Sequence, residues 1–323
     1  MAQAPGGFRM SSYLQEKVAY VGQKEVYEEA SDSLLMLAGL DVSGKQIERV
    51  CHHYGALCEA QSRELVEASC TDPDQCYAMV DGSLLLTKDK DPDTGKLLWR
   101  EMKLGRVFKV RHHMALSAKR NWIYASRYTA HFGESDTFFE KLSREVDPLR
   151  SVIFLGDGAR WIWDRVSAFW PEATQILDYY HCKEHLFEFA RVCLQAAVFA
   201  DKASMQQWIS EQEGLLFSDA VEQVMTHIAE IDSGRKAVAE AQSKLLHYYG
   251  SNQERMRYGS YRRLGYLIGS GPIESAHRYV IHERMKLSGQ RWTIKGAQAI
   301  ANLRVAYASD QWSRVRQLIR KAA

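Results

Sequence analysis

The chain has 323 residues, of which 46% are apolar and 25% are charged. This is the composition of a folded globular protein with one large domain or two smaller ones. It excludes intrinsic disorder, a collagen-like helix and a coiled-coil rod as descriptions of the whole chain. No run of about 18 apolar residues occurs, so we predict no membrane-spanning helix and no membrane partner.

The cysteines and the first residues indicate the compartment. Six cysteines in a chain of this length do not form a disulfide framework, and no C-x-x-C pair is present. We therefore expect no structural zinc and reduced thiols. The N-terminal segment lacks the apolar core of a signal peptide. These features favour a cytoplasmic protein.

Charge is distributed unevenly along the chain. Residues 251–323 contain 14 Lys and Arg but only 4 Asp and Glu, a net charge of +10, and the remaining residues carry a net charge of −8. A basic segment of this kind indicates a polyanionic partner, most often nucleic acid. A solvated helical surface is the alternative interpretation.

The first part of the chain, residues 1–75, is predicted to be helical. Apolar residues recur at three- and four-residue spacing over residues 12–68. Ser43 followed by Gln46 is typical of a capping box at the start of a helix. A helix-turn-helix that presents Lys45, Gln46 and Arg49 to DNA is one interpretation, and an ordinary helical hairpin is the other.

From residue 76 the pattern predicts three strands with short links, then helix, strand, helix and strand. This order is typical of an RNase H-like core, an α/β fold with a mixed five-stranded sheet and flanking helices. We expect the first part of this core over 76–181, an all-α insertion over 182–262, and the last part, with basic C-terminal helices, over 263–323.

Three carboxylates fall at positions that this topology brings together. Asp81 lies in the first predicted strand, Asp157 ends the fourth, and Glu274 begins a helix after the helical block. The first and fourth strands are neighbours in such a sheet, and a helix beside them adds a third carboxylate. Magnesium prefers hard oxygen ligands, and a pair of such ions supports phosphodiester chemistry. An isolated Asp at a strand end is usually a turn or cap residue. The prediction of a metal site therefore rests on the occurrence of all three acids at these positions.

Five sequence strings support a family resemblance. They are VDG at 80–82, GDGARWIW at 156–163, ILDYYHCKEHL at 176–186, YLIGSGPIESAHR at 266–278 and RMKLSGQRWTIKGAQAI at 284–300. Over roughly residues 12–315 the chain resembles the ISKra-type transposases of bacterial insertion sequences, which belong to the DDE superfamily. It is more distantly similar to Mutator-like transposases.

The resemblance implies a function and a set of catalytic residues. Asp81 and Asp157 match the catalytic aspartates, and Glu274 matches the catalytic glutamate. They would bind two Mg²⁺ or Mn²⁺ ions for DNA strand cleavage and transfer of the freed 3′-OH. The implied partners are double-stranded DNA, as element terminal repeats and target, and further copies of the chain in a homodimer or larger assembly at the nucleoid.

A further signature of the family, C/D-x-x-H, matches Asp178 and His181. These two residues would orient an active-site group or contact DNA, or they form a structural pair. Basic residues near Glu274 would neutralise phosphates, and Trp292 would either stack on a base or pack between helices. The candidate DNA-binding residues are Arg262, Arg263, Arg284, Lys286, Arg291, Trp292 and Lys295.

Other functions remain open at this stage. An RNase H-like nuclease that only hydrolyses DNA would use the same acids, and a catalytically silent DNA-binding protein derived from a transposase would use the basic segment. Many relatives carry extra N-terminal sequence, so complete, truncated and partner-dependent transposases are all open. The G-D-G and G-S-G strings match no dinucleotide or P-loop motif, which argues against a nucleotide-binding enzyme.

Overall fold

The computed structural model describes residues 7–62, 75–117, 120–146 and 151–321. Two compact units divide the chain, one of Met1–Val152 with Pro272–Ala323 and one of Ile153–Gly271. Across the described ranges, no helix is both long and apolar enough to cross a lipid bilayer.

The strands and helices are numbered in chain order. The strands are β1 (Cys76–Lys90), β2 (Leu97–Lys109), β3 (His113–Ser117), β4 (Arg120–Ile123), β5 (Arg127–Phe132), β6 (Val152–Gly156) and β7 (Thr174–Leu177). The helices are α1 (Ser12–Gly22), α2 (Tyr27–Ala38), α3 (Gly44–Ser62), α4 (Ser135–Val146), α5 (Arg160–Phe169), α6 (Tyr179–Gln195), α7 (Lys202–Leu216), α8 (Val221–Ala229), α9 (Lys236–Asn252), α10 (Tyr258–Arg263), α11 (Gly271–Ala276), α12 (Glu283–Met285), α13 (Ile294–Ala308) and α14 (Trp312–Lys321).

In the first unit, three strands form an antiparallel sheet in the order β5-β2-β1. The first half of β1 is buried from Cys76 to Val80, which explains why its sequence is a continuous apolar run rather than an alternating one. Asp91 closes the turn to β2, because its Oδ1 accepts the Thr94 N–H at 2.7 Å. The sequence pattern therefore predicted this hairpin well.

The third predicted strand is divided in the structure. The sequence favoured one strand over residues 121–132, whereas β4 pairs with β3 in a separate hairpin and β5 pairs with β2. Between them, the Ser126 hydroxyl accepts a hydrogen bond from Arg106 Nε at 3.0 Å. Residues 124–126 thus separate two strands that belong to different sheets.

Helix α13 covers the outer edge of this sheet. Gln298 on α13 accepts the Phe132 N–H at 2.7 Å and donates to the Ala130 carbonyl at 3.1 Å. The Ser309 hydroxyl accepts the Tyr128 N–H at 3.0 Å. These bonds satisfy backbone groups of β5 that an uncovered edge strand would present to another chain.

The N-terminal helices belong to the same unit. Helix α3 packs against α1, α2, α13 and α14, and Asn302 donates to the Gly55 carbonyl at 2.9 Å. The Ser43 N–H donates to Gln46 Oε1 at 3.2 Å, which is one half of the predicted capping box. Lys45, Gln46 and Arg49 are exposed, and DNA binding by these three residues stays a prediction. Residues 1–6 and 63–74 of the predicted N-terminal region lie outside the described residues.

The second unit contains a parallel pair of strands and a helical block. Strand β6 pairs with β7 in parallel, with Gly156 opposite Leu177, and α5 connects the two strands. All five residues of β6 are buried. Helices α6 to α9 pack in succession, α6 on both α7 and α9. This block occupies most of the predicted insertion.

Substitution of two helical glycines, Gly55 on α3 and Gly214 on α7, tests how closely these helices are packed. A Cβ on Gly55 would lie 2.2 Å from the Ala299 carbonyl oxygen, whereas one on Gly214 would have no atom within 4 Å. We expect Gly55→Ala to lower the free energy of unfolding by about 1–3 kcal/mol through overpacking. Gly214→Ala should raise it by about 0.5–1 kcal/mol through helix propensity. Urea denaturation measures both, and equal effects would contradict the close contact at Gly55.

Candidate active site

Asp81 lies on β1 at the point where the strand leaves the buried core. It stands opposite Leu104, and 35% of its side chain is exposed. Its Oδ1 accepts the N–H of Gly82 at 2.7 Å. A Cβ at position 82 would lie 2.1 Å from the Glu101 carboxylate, so Glu101 packs closely over this glycine.

A serine and two histidines lie beside Asp81. Ser83, two residues along β1 and on the same strand face, has its hydroxyl oxygen 2.9 Å from His277 Nδ1 and 2.8 Å from His282 Nε2. His277 Nε2 is 3.7 Å from Asp81 Oδ2. Burial lowers the pKa of His277 to about 4, so its imidazole is neutral at pH 7. We call Asp81, Ser83, His277 and His282 the Asp81 cluster.

The two histidines reach Ser83 because the backbone between them is a π-helix. Residues His277–His282 form this segment, and its wider i→i+5 turns bring the first and last residues closer to one face than an α-helix would. Buried Arg304 on α13 also binds this segment. Its Nε donates to the Val280 carbonyl at 2.5 Å, and its Nη2 donates to the Tyr279 carbonyl.

Glu274 lies on α11, which leads directly into the π-helical segment. It is exposed and precedes His277 by three residues, so both side chains lie on neighbouring positions of one helix face. Arg106 on β2 donates to the Pro272 carbonyl at 2.7 Å and fixes the start of this helix. Two of the three predicted acids, Asp81 and Glu274, are thus carried by elements of one unit that contact each other through His277.

Asp157 belongs to the second unit and directly follows β6. Its Oδ1 accepts the Ala159 N–H at 2.9 Å, and its carbonyl accepts the Trp163 Nε1–H at 2.8 Å. These bonds fix the loop between β6 and α5. A Cβ on Gly158 would lie 2.1 Å from the Tyr248 ring, so Tyr248 packs directly against the loop. The strand-end position of Asp157 is the one the sequence predicted.

A cavity of about 590 Å³ adjoins the Asp157 loop within the second unit. The Arg255 guanidinium lies 4.7 Å above the Trp163 ring in its wall. The His185 ring lies 4.2 Å from the Tyr248 ring. Burial is the main cause of the lowered pKa of His185 and the raised pKa of Tyr248. The cavity therefore combines aromatic surfaces with cationic groups.

The structure assigns separate contacts to Asp178 and His181. Asp178 is 3% exposed and caps α6, where it accepts the Tyr180 N–H at 2.7 Å. It also accepts the Ser270 N–H at 3.2 Å and the Ser270 hydroxyl. Burial raises the pKa of Asp178, against the effect of these hydrogen bonds. His181 is half-exposed, with Nδ1 3.8 Å from Glu184. Asp178 therefore holds the start of α6 and the Ser270 segment together.

The candidate DNA-binding residues divide by exposure. Arg284 is 1% exposed and donates from Nε to the Gly22 carbonyl at 3.3 Å. Trp292 is 7% exposed and donates from Nε1 to the Met285 carbonyl at 2.9 Å. In this structure both pack the core of the first unit. The exposed candidates are Arg262, Arg263, Lys286, Arg291 and Lys295.

The predicted acids have the donor chemistry of a magnesium site. Asp81, Asp157 and Glu274 offer carboxylate oxygens, the ligands that Mg²⁺ and Mn²⁺ prefer. Among the residues the structure describes, no three or more His, Cys, Asp or Glu side chains are grouped as metal ligands. Metal binding by these acids therefore stays a prediction that rests on their chemistry and on their sequence positions.

Sequence reasoning missed the other members of the Asp81 cluster. The histidines at 277 and 282 are visible in ESAHRYVIH, and the serine at 83 follows VDG. An α-helix with 3.6 residues per turn would not place the two histidines on one face. The sequence could therefore have indicated this pair only if the π-helix had been known.

Comparison with known proteins identifies the family. The model of the uncharacterised protein family UPF0236 matches residues 9–321. The chain belongs to this family. No curated protein matches it. Among solved structures, the crystal structure of the Mos1 strand transfer complex is similar over 80% of each chain, with 12% identity and a TM-score of 0.18. A TM-score this low does not establish a shared fold.

The hydrogen bonds of the Ser83 hydroxyl in the Asp81 cluster of this UPF0236 protein can be tested by substitution. Ser83→Ala leaves the two imidazoles without their shared partner, so we expect a loss of about 1–3 kcal/mol in the free energy of unfolding. The matched control is Ser143→Ala, whose exposed hydroxyl donates only to the Glu140 carbonyl, with an expected effect below about 0.5 kcal/mol. Equal effects in chemical denaturation would contradict the arrangement.

Tyr248, which lines the cavity beside Asp157, and its sequence neighbour Tyr249 differ in the hydrogen bonding of their hydroxyls. The Tyr249 hydroxyl donates to the Cys182 carbonyl at 3.2 Å, whereas the buried Tyr248 hydroxyl has no partner in the described part of the chain. Tyr249→Phe should cost about 0.5–1.5 kcal/mol of stability. Tyr248→Phe should be neutral or stabilising, because it removes a buried polar atom without breaking a bond. A larger loss of stability in Tyr248→Phe than in Tyr249→Phe, measured by thermal unfolding, would contradict this assignment.

Proposed function

We propose that this UPF0236 protein is a DDE transposase of the ISKra type with an RNase H-like catalytic core. The observation that carries the proposal is the contact of Asp81 on β1 with His277, one helical turn beyond Glu274. It supports the proposal because the helix that carries Glu274 leads into the segment that contacts Asp81. Asp157 directly follows β6, as the strand-end acid of the proposed catalytic set should.

The chain's own groups would position the reacting phosphate. Asp81, Asp157 and Glu274 would hold two Mg²⁺ or Mn²⁺ ions, which supply activation of the attacking oxygen and stabilisation of the leaving oxygen. Neutral His277 lies 3.7 Å from the Asp81 carboxylate, and the Gly82 N–H orients one of the carboxylate oxygens. Water would attack a phosphate at the element end and break its P–O3′ bond, which frees the 3′-OH of the element. That 3′-OH would attack a target phosphate and displace a 3′-oxygen of the target strand.

Exposed cations would bind the DNA backbone. They lie both in the first unit, at Lys286, Arg291 and Lys295, and in the second unit, at Arg262 and Arg263. Arg263 also pairs with Asp219 at 3.0 Å, and Arg262 lies 4.7 Å above the Phe217 ring. Affinity that depends on such phosphate contacts should fall steeply with salt.

The proposed partners follow from the reaction. Terminal repeats and target DNA are the nucleic-acid substrates, and a homodimer or larger assembly would hold two element ends together. Within the cell the protein would act at the nucleoid. A hydrolytic nuclease and a silent DNA-binding protein are the two outcomes that the experiment below separates from strand transfer.

The acids are tested with the full chain, a labelled target and the DNA that flanks its gene, in Mg²⁺ or Mn²⁺. We expect Asp157→Ala, Asp81→Asn and Glu274→Gln each to lower the yield of joined strands by at least about 100-fold, because each removes a metal ligand. Circular dichroism should show intact folding. The matched control, Asp93→Asn in the exposed turn before β2, should join strands normally.

The other outcomes identify the rival functions. Cut strands without joined products would indicate a hydrolytic nuclease. DNA binding without cleavage by the unaltered chain would indicate a silent binding protein. Normal joining by Asp157→Ala would remove that residue from the active site.

A further inference from the structure

A second cavity lies in the first unit, and none of its lining residues belongs to the Asp81 cluster. Its volume is about 210 Å³, below the range of about 300–1,000 Å³ that is usual for organic ligands. It holds several times the volume of about 30 Å³ that one water occupies in the liquid. This is room for a small hydrated ion or a single chemical group.

The charged side chains around this cavity are mainly cationic. Lys88, Arg284 and Arg291 line it, together with one carboxylate, that of Glu48. Lys88 and Arg291 are exposed at its mouth, whereas Arg284 is buried. The excess of positive charge favours an anion.

Arg284 provides a donor that the protein leaves unused. Its guanidinium lies 4.8 Å from the Tyr27 ring and 5.5 Å from the Trp292 ring, both of which also line the cavity. Its Nη2 is buried and has no hydrogen-bond partner among the described residues. Burial lowers the pKa of Arg284, although an arginine remains charged at neutral pH. A buried charged donor without a partner is costly, and an anion in the cavity would remove that cost.

The start of α13 adds a second source of positive potential. Thr293 caps this 15-residue helix by accepting the Gly296 N–H at 3.1 Å, and both residues line the cavity. Helix N-termini attract anions because their amide groups and dipole point outward. The N–H of Lys88 donates to the Trp292 carbonyl at 2.8 Å, which fixes the backbone beside the cavity.

We propose that this cavity is a phosphate-binding site, with Arg284 as the buried donor and Lys88 and Arg291 as the outer cations. The occupant is a tetrahedral phosphate group, either free inorganic phosphate or one phosphate of a DNA backbone. The site does not depend on the strand-transfer chemistry proposed above.

The first experiment follows thermal unfolding of the full chain in inorganic phosphate, with chloride of equal ionic strength as the reference. We expect phosphate to raise the Tm above the chloride reference. Lys88→Gln and Arg291→Gln should each weaken the phosphate affinity about tenfold, since each removes one charge-assisted hydrogen bond. The matched control is Lys90→Gln, an exposed lysine on the same strand that does not line the cavity, and it should bind phosphate normally.

The second experiment distinguishes the two sources of phosphate. Inorganic phosphate competes with labelled duplex DNA at constant ionic strength. If phosphate displaces DNA from the unaltered chain more strongly than from Lys88→Gln, a backbone phosphate occupies the site. If phosphate raises the Tm without displacing DNA, free phosphate is the ligand.

Two results would overturn the proposal. One is an equal Tm in phosphate and in chloride. The other is phosphate stabilisation of Lys88→Gln and Arg291→Gln that equals that of Lys90→Gln. Neither measurement requires strand joining, so failure of this site and failure of the proposed transposase activity give different results.

Discussion

In the first unit, the backbone of the π-helical segment depends on buried Arg304. Its guanidinium donates to the Gln23 carbonyl at 2.7 Å and to the carbonyls of Tyr279 and Val280. These carbonyls lie at the end of α1 and in the π-helical segment, where regular helical pairing is interrupted. Burial lowers the pKa of Arg304 to about 10, which leaves it charged at neutral pH. The hydrogen bonds of Arg304 therefore help to maintain the backbone geometry that brings His277 toward Asp81.

Arg304 and Arg284, both buried in this unit, differ in what their donors bind. Arg304 directs its donors at backbone carbonyls, and each hydrogen bond from a charged group contributes more than a neutral one. Arg284 donates to the Gly22 carbonyl and lies against two aromatic rings, but one of its nitrogens faces no acceptor in the described part of the chain. Burial alone would have given both residues the same interpretation. The difference in acceptors distinguishes a structural arginine, Arg304, from Arg284, whose remaining donor a ligand would bind.

Local patterns predicted much of the fold, and tertiary contacts decided the rest. The apolar runs predicted β1 and β6, and the position of Asp157 followed from the end of its strand. The division of the third predicted strand depended on pairing with different partners, which no local pattern records. For Trp292, the sequence left stacking on DNA and core packing open, and its 7% exposure places it in the core. The basic charge pattern indicated a surface, but it could not show that Arg284 is buried, because arginine is seldom buried completely.

Three aspartates near predicted strands show how one residue type takes different functions. Asp178 is 3% exposed, and its oxygens accept from Tyr180 and Ser270, so its carboxylate is occupied in joining two segments. Asp81 and Asp157 each have one oxygen oriented by a nearby backbone N–H, at 2.7 and 2.9 Å. The side chain of Asp81 remains partly exposed. A carboxylate that is oriented by the backbone but still reached by solvent suits ion binding better than a buried one, because its position is set without the cost of full desolvation. This distinction separates the two proposed catalytic aspartates from the neighbouring signature residue.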